Sequence, residues 1–197
     1  MKEILIGSQI WMAENLNVDT FRNGDPIIQS ATGMEWNTAA KYGGKPAWCY
    51  YNDDPVNQTA HGKLYNWFAV NDPRNIAPEG WHIPTDHEWQ TLIDYLSGEN
   101  EAGKKMKNNN LWINDDSGTN ESGFSGLPSG FRKWHGSFSF LEIGETFGQI
   151  GMWWSSSEKD MNSAWYRYLT NKNYYVTRES GNKGMGLSVR CVKDKLI

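Results

Sequence analysis

The sequence predicts an α+β fold: a β-hairpin, then helices, then a run of short strands, in one domain spanning residues 1–197. Three observations carry that expectation. The 197 residues show no repeat, linker or low-complexity tract, so one domain is the better division. Aromatic residues make up 14% of the chain, with eleven Trp, nine Tyr and seven Phe, so the core must be built from rings whose polar tips need partners at its edge. Twenty Gly, with many Asn and Ser, supply the positive φ angles of tight turns and suit an irregular, loop-rich architecture better than a helix bundle.

Each element has its own signal. Ile4-Leu5-Ile6 and Ile10-Trp11-Met12 flank a short turn and predict a hairpin. From Asn15 to about Ala47 the chain is rich in Asn, Gly, Asp and Pro, which predicts a long ordered loop. Trp48 to Tyr51 reads as a strand, and Leu64 to Val70 as a short helix. Thr85 with Glu88 makes a capping box, since each side chain answers an orphan amide at a helix start. Trp89, Leu92, Ile93 and Leu96 then recur as a one-sided apolar stripe, and Ser97-Gly98 stops the helix. A second helix is expected from Glu101 to Met106. Beyond Asn108 the expected strands are 126–133, 138–141, 151–155, 164–169, 174–178 and 187–192, suited to antiparallel pairing. The first hairpin and the last strand are expected to pair and bring the termini together.

Charge and motif content narrow the function classes. A net charge of -4 lacks the basic footprint that nucleic-acid binding needs. No run is long enough for a transmembrane helix, and Met1 to Gly7 is far too short for a signal peptide. Cys49 and Cys191 either form one disulfide or stand as two buried thiols. His61, His82, His87 and His135 show no metal-ligand spacing. Ser155-Ser156-Ser157 lacks a nucleophile elbow. Gly181 to Gly186 is a turn rather than a phosphate loop. Glu79, Glu88 and Glu158 each have a structural task available, so no acid–base pair stands out. Asp115-Asp116 is the one place where a structural calcium ion would find oxygen ligands, and otherwise no cofactor is expected.

Several segments resemble the Fibrobacter succinogenes major paralogous domain, in order along nearly the whole chain. They are Trp11 to Asn17, Tyr65 to Val70, Pro78 to Trp89, Gly123 to Arg132, Trp153 to Glu158 and Ser188 to Val192. The resemblance implies a C-type-lectin-like fold and a surface or secreted, extracellular setting in Bacteroidetes-type bacteria. It implies no particular activity. Members often carry a Cys just before the Pro-Glu-Gly-Trp segment, where this chain has Ala77, so the familiar partner of Cys191 is missing.

The function expected is a non-enzymatic, adhesin-like ligand-binding module whose partner is a protein or glycan on a cell surface. Tyr, Trp, Ser, Gly and Asn are the residues of adaptable recognition surfaces. They concentrate in the late strands, so the candidate ligand-binding residues are Trp134, His135, Trp165, Arg167, Asn171, Asn173, Tyr174, Tyr175 and Arg178. One alternative is a retroelement-diversified receptor-binding protein of a phage or prophage, because residues 162–183 are rich in Asn, Tyr and Ser. Another, from a different class, is a carbohydrate-active or modifying enzyme.

Overall fold

The computed structural model describes residues 2–41, 44–57, 61–114, 118–138 and 147–195. It is an α+β fold of three small sheets and four helices among those residues. In chain order the elements are β1 (Glu3–Ile6), β2 (Gln9–Met12), β3 (Ile28–Gln29), α1 (Gly33–Lys41), β4 (Ala47–Cys49), β5 (Leu64–Tyr65), α2 (Trp67–Val70), β6 (Trp81–His82), α3 (Asp86–Tyr95), α4 (Ala102–Met106), β7 (Ile150–Glu158), β8 (Ser163–Thr170), β9 (Thr177–Asn182) and β10 (Val192–Lys193).

The first sheet joins the chain ends. β1 and β2 form the expected hairpin, and β10 lies beside β2 with Val192 opposite Trp11, in the order β1-β2-β10-β6. The second sheet is β3-β4-β5, in which β3 and β4 run parallel. The third, β7-β8-β9, is an antiparallel meander. Single bridges from Leu187 to Tyr65 and from Ser188 to Trp153 tie the sheets together.

α3 begins as the sequence predicts. Thr85 Oγ1 accepts the Glu88 amide at 3.2 Å while Glu88 Oε2 accepts the Thr85 amide at 2.9 Å. Its apolar stripe faces inward, with Trp89, Leu92 and Ile93 at 0% exposure and Leu96 at 5%. Trp89 Nε1 donates to the Trp154 carbonyl, which fixes the helix on β7. Trp11, Trp89, Phe124 and Trp153 form one aromatic nest with centroids 4.8 to 6.5 Å apart.

A polar hub sits under that nest. Asn15 Nδ2 donates to the His61 carbonyl, Ser129 Oγ and Ser188 Oγ, and its Oδ1 accepts from Trp153 Nε1 and Arg190 Nε. Arg190 is fully buried and also donates to the carbonyls of Met12, Phe124 and Ser125. Buried polar groups must be paired, and here one asparagine and one arginine bind groups from five separate chain segments.

Several expectations are corrected. The loop expected over 15–47 contains α1, opened by a second capping box in which Glu35 Oε2 accepts the Thr32 amide and Thr32 Oγ1 accepts the Glu35 amide. Residues 64–70 split into β5 and α2, because the Asn66 side chain caps the helix by accepting the Ala69 amide. The strand expected at 48–51 ends at Cys49, and Asn52 and Asp53 take positive φ in a tight 3-10 turn. Segment 126–133 forms only isolated bridges, since positive-φ Gly130 and the bound Arg132 break the ladder. Segment 187–192 likewise makes bridges until Val192. β9 starts at Thr177, not Tyr174, and the 138–141 strand falls largely outside the described residues. Cys49 and Cys191 are both free and buried, in different parts of the core, so the disulfide alternative falls. Burial pushes each thiol up to about 12, which leaves both unreactive.

Candidate functional site

Side chains alternate along a strand, so β8 has two faces. Tyr166 and Tyr168 point one way, Trp165 and Arg167 the other. On the tyrosine face lies a cleft of about 370 Å³. Trp134 and His135, their rings 5.3 Å apart, line it with Tyr166 and Tyr168. Met152 of β7 and Met185 add thioether walls, and Glu179 stands opposite Tyr166 in the β8–β9 ladder. Gly181 keeps the cleft open: a Cβ there would meet Met185 Sδ at 2.7 Å and the Tyr166 ring at 3.0 Å.

Most ring tips in the core are paired within the chain, those of Trp81 and Tyr50 being exceptions among the described residues. The indoles of Trp11, Trp36, Trp48, Trp67, Trp89, Trp112, Trp153 and Trp154 all donate to protein acceptors. Tyr65 donates its hydroxyl to the Val18 carbonyl. Among the described residues, the Trp134 indole and the Tyr166 and Tyr168 hydroxyls have no such acceptor. Buried Tyr and Trp tips normally find a partner. Trp134 is 40% exposed and Tyr168 half-buried, so their tips are open to solvent, while Tyr166 is 7% exposed. Burial, and then the nearby Glu179 charge, hold the Tyr166 hydroxyl above its ordinary range.

The opposite face is a closed ionic cluster. Arg167 is buried, donates to Asp86 Oδ1 at 2.6 Å, and leaves its Nε–H without an acceptor. Arg178 reaches the same carboxylate at 2.9 Å and stacks on Trp165 at 3.4 Å from its ring centroid. Burial raises the Asp86 carboxyl, but hydrogen bonds from Arg178 and Arg167 outweigh it and hold the group below its usual range. Both arginines are therefore engaged by the fold. The turn 171–175 forms a third location. Asn171 donates to the Ile113 carbonyl, Asn173 accepts the Tyr175 amide, and Tyr174 lies 5.7 Å from Lys104 Nζ.

The nine residues expected at the site therefore fall into three places. Only Trp134 and His135 line the cleft. Sequence reasoning missed Tyr166, Tyr168, Met152, Met185 and Glu179. The alternation Trp165-Tyr166-Arg167-Tyr168 held part of the signal, because it separates tyrosines from the other pair whichever face is buried.

Two of the three candidate acidic groups, Glu88 and Glu158, have structural partners. Glu158 pairs with buried Lys183, whose ammonium lies 4.8 Å from the Trp67 ring centroid. Glu79 is exposed. His61 packs 4.5 Å from Phe147, and burial lowers its pKa. Among the described residues no three His, Cys, Asp or Glu side chains gather as a metal site, and Asp115-Asp116 lies outside those residues. No helix among them is long and apolar enough to cross a membrane.

His82 bridges Glu88 Oε1 at 2.9 Å and Asp194 Oδ1 at 2.6 Å, tying the last strand to the start of α3. The hydrogen bond to Glu88 raises the His82 pKa, against burial, with Asp194 assisting. Burial would raise Glu88, but bonds from His82 and Thr85 bring it down to about 2. The histidine's contribution to stability is then complete below its ordinary 6.5 and is lost as pH rises through the raised value. The glutamate's contribution is complete above its ordinary 4.5 and is lost as pH falls toward about 2. As pH rises from about 6.5, melting temperature should decline less steeply in His82→Gln than in the parent. Identical alkaline limbs in the two proteins would refute the bridge.

A family model described as the Fibrobacter succinogenes major domain matches residues 4–193. No curated protein and no solved structure matches the chain.

Proposed function

The chain belongs to the Fibrobacter succinogenes major domain family, and from that premise we propose that it is a C-type-lectin-like, non-enzymatic, adhesin-like module that binds its ligand in the Tyr166–Trp134 cleft. The observation that carries this reading is a cleft of about 370 Å³ lined by aromatic rings, two thioethers and a few polar groups. Ligand pockets are mostly apolar with a few placed polar groups, and this cleft has that make-up. Chain ends paired in one sheet, with a late three-stranded sheet beside them, are compatible with the proposed fold. A protein or glycan on a cell surface remains the target class, and an extracellular or cell-surface location belongs to the same proposal.

The enzyme reading has less support. Glu88 and Glu158 both hold structural partners, and both thiols are buried.

Labelled protein incubated with intact bacterial and host cells and with a glycan array tests the proposal. Tyr168→Ala and Trp134→Ala should each reduce binding about tenfold or more, as truncation of aromatic anchors does. Arg178→Ala on the opposite face should have little effect. Binding that survives both cleft substitutions but is lost in Arg178→Ala would move the site to the other face of β8.

A further inference from the structure

We infer that the cleft takes an alkyl-substituted ammonium cation of choline-headgroup size, held by Trp134, Tyr166 and Tyr168 against the Glu179 carboxylate. The inference rests on the reading of this cleft as the ligand site.

The first ground is how the chain treats its other aromatic rings. Arg74 lies 4.0 Å from the Phe21 centroid and Lys63 lies 4.2 Å from Trp48. Lys183, Lys193 and Arg178 cover Trp67, Trp81 and Trp165. The negative face of a ring attracts a cation, and this fold repeatedly supplies one from its own sequence. Among the described residues none lies over Trp134, Tyr166 or Tyr168. Tyr95 and Tyr175 are uncovered too but stand outside the cleft; within it Trp134 and Tyr168 are the more exposed rings, and Tyr166 is 7% exposed.

The second ground is charge. Cross-strand partners point to the same side of a sheet, so Glu179 shares the cleft face with Tyr166. Its Oε1 accepts the Ser180 amide at 3.2 Å, and among the described residues no Lys, Arg or His pairs with it. Lys133 also lines the cleft, so its lining carries one charge of each sign, and the negative one lies beside Tyr166. A carboxylate beside three rings favours a positive ligand and repels an anion. A neutral sugar would stack on the rings yet leave the carboxylate without a counter-charge.

Shape gives a third ground. Charge spread over methyl groups suits walls made of rings and the thioethers of Met152 and Met185, whereas a bare ammonium would lose its hydration there. A volume of about 370 Å³ holds such a headgroup with room for a tether.

Choline and its uncharged isostere 3,3-dimethylbutan-1-ol separate charge from shape. Each is titrated into the full chain, read by the indole resonance of Trp134 and the methyl resonance of Met185. Choline should shift both saturably and bind about tenfold or more tightly than the isostere. Glu179→Gln should remove most of that difference, with circular dichroism confirming the fold. Phosphocholine and trimethyl-lysine, titrated in parallel, show which carrier of the cation is preferred. Equal binding of choline and the isostere would overturn the inference while leaving the cleft as an apolar site. Methyl glycosides that shift the two resonances when choline does not would do the same. If none of these probes moves Trp134, the inference falls, and the cell-binding result for Trp134→Ala then decides the cleft reading separately.

Discussion

Arg190→Met is expected to lower unfolding free energy by about 3–5 kcal/mol, the range for removing one member of a buried charged network. The arginine is 0% exposed, with its guanidinium 4.4 Å from the Phe124 ring centroid. Burial pulls its pKa down to about 9, so it still carries a full charge at neutral pH. Among the described residues no carboxylate forms an ion pair with it, and Glu14 acts on it only through space. The charge is held by the carbonyls of Met12, Phe124 and Ser125 and by Asn15 Oδ1. Methionine matches much of the volume but takes the donor from three carbonyls, each worth about 1–3 kcal/mol when buried unpaired, and leaves Asn15 Oδ1 with Trp153 Nε1 alone. The acceptors belong to β2, the loop after it and the 124–125 turn, so their loss loosens the joint between the first and last segments of the chain. Arg190→Lys should recover little, because one ammonium cannot reproduce the planar fork. Urea denaturation followed by tryptophan fluorescence measures both. A loss below about 1 kcal/mol for Arg190→Met would mean that the hub relaxes or hydrates, and that the network does not hold the segments together.

How much of this was legible in the sequence depends on how far each signal reaches. The Thr85-Glu88 box and the stripe from Trp89 to Leu96 are local patterns that one helix satisfies alone, and both appear as expected. Thr32-Gly33-Met34-Glu35 carries the same box, yet Asn and Gly around it read as loop. Its helix is secured from outside, by the Trp36 indole donating to the Gly184 carbonyl 148 positions away. The segments 126–133 and 187–192 have strand composition, but their backbone partners alternate between different neighbours, so neither forms a continuous ladder. Arg167 and Arg178 look like recognition residues because Arg is common at hot spots. Only the fold reveals that one carboxylate, Asp86, 81 and 92 positions earlier, binds both of them. The cleft combines residues from 131 to 185 and depends on strand register, which composition does not encode.

Leu92→Ala should cost about 2–5 kcal/mol through lost transfer energy and the cavity left behind. Leu92 is 0% exposed and lies in one cluster with Trp11, Trp89, Phe124 and Trp153. Large flat rings collapse poorly into a leucine-sized void, because shifting one would break an indole hydrogen bond such as Trp89 to the Trp154 carbonyl or Trp153 to Asn15. The value should therefore fall in the upper half of that range. α3 is anchored to β7, and β7 pairs with β8, whose other face carries the cleft. A rigid sheet separates the cavity from Tyr166 and Tyr168, so the variant should lose stability without losing ligand affinity at temperatures where it remains folded. Denaturant midpoints and ligand titrations on the same samples check both halves. An unchanged midpoint would make α3 peripheral to the core. A lowered midpoint together with weakened binding would show that packing under β7 sets the geometry of the cleft.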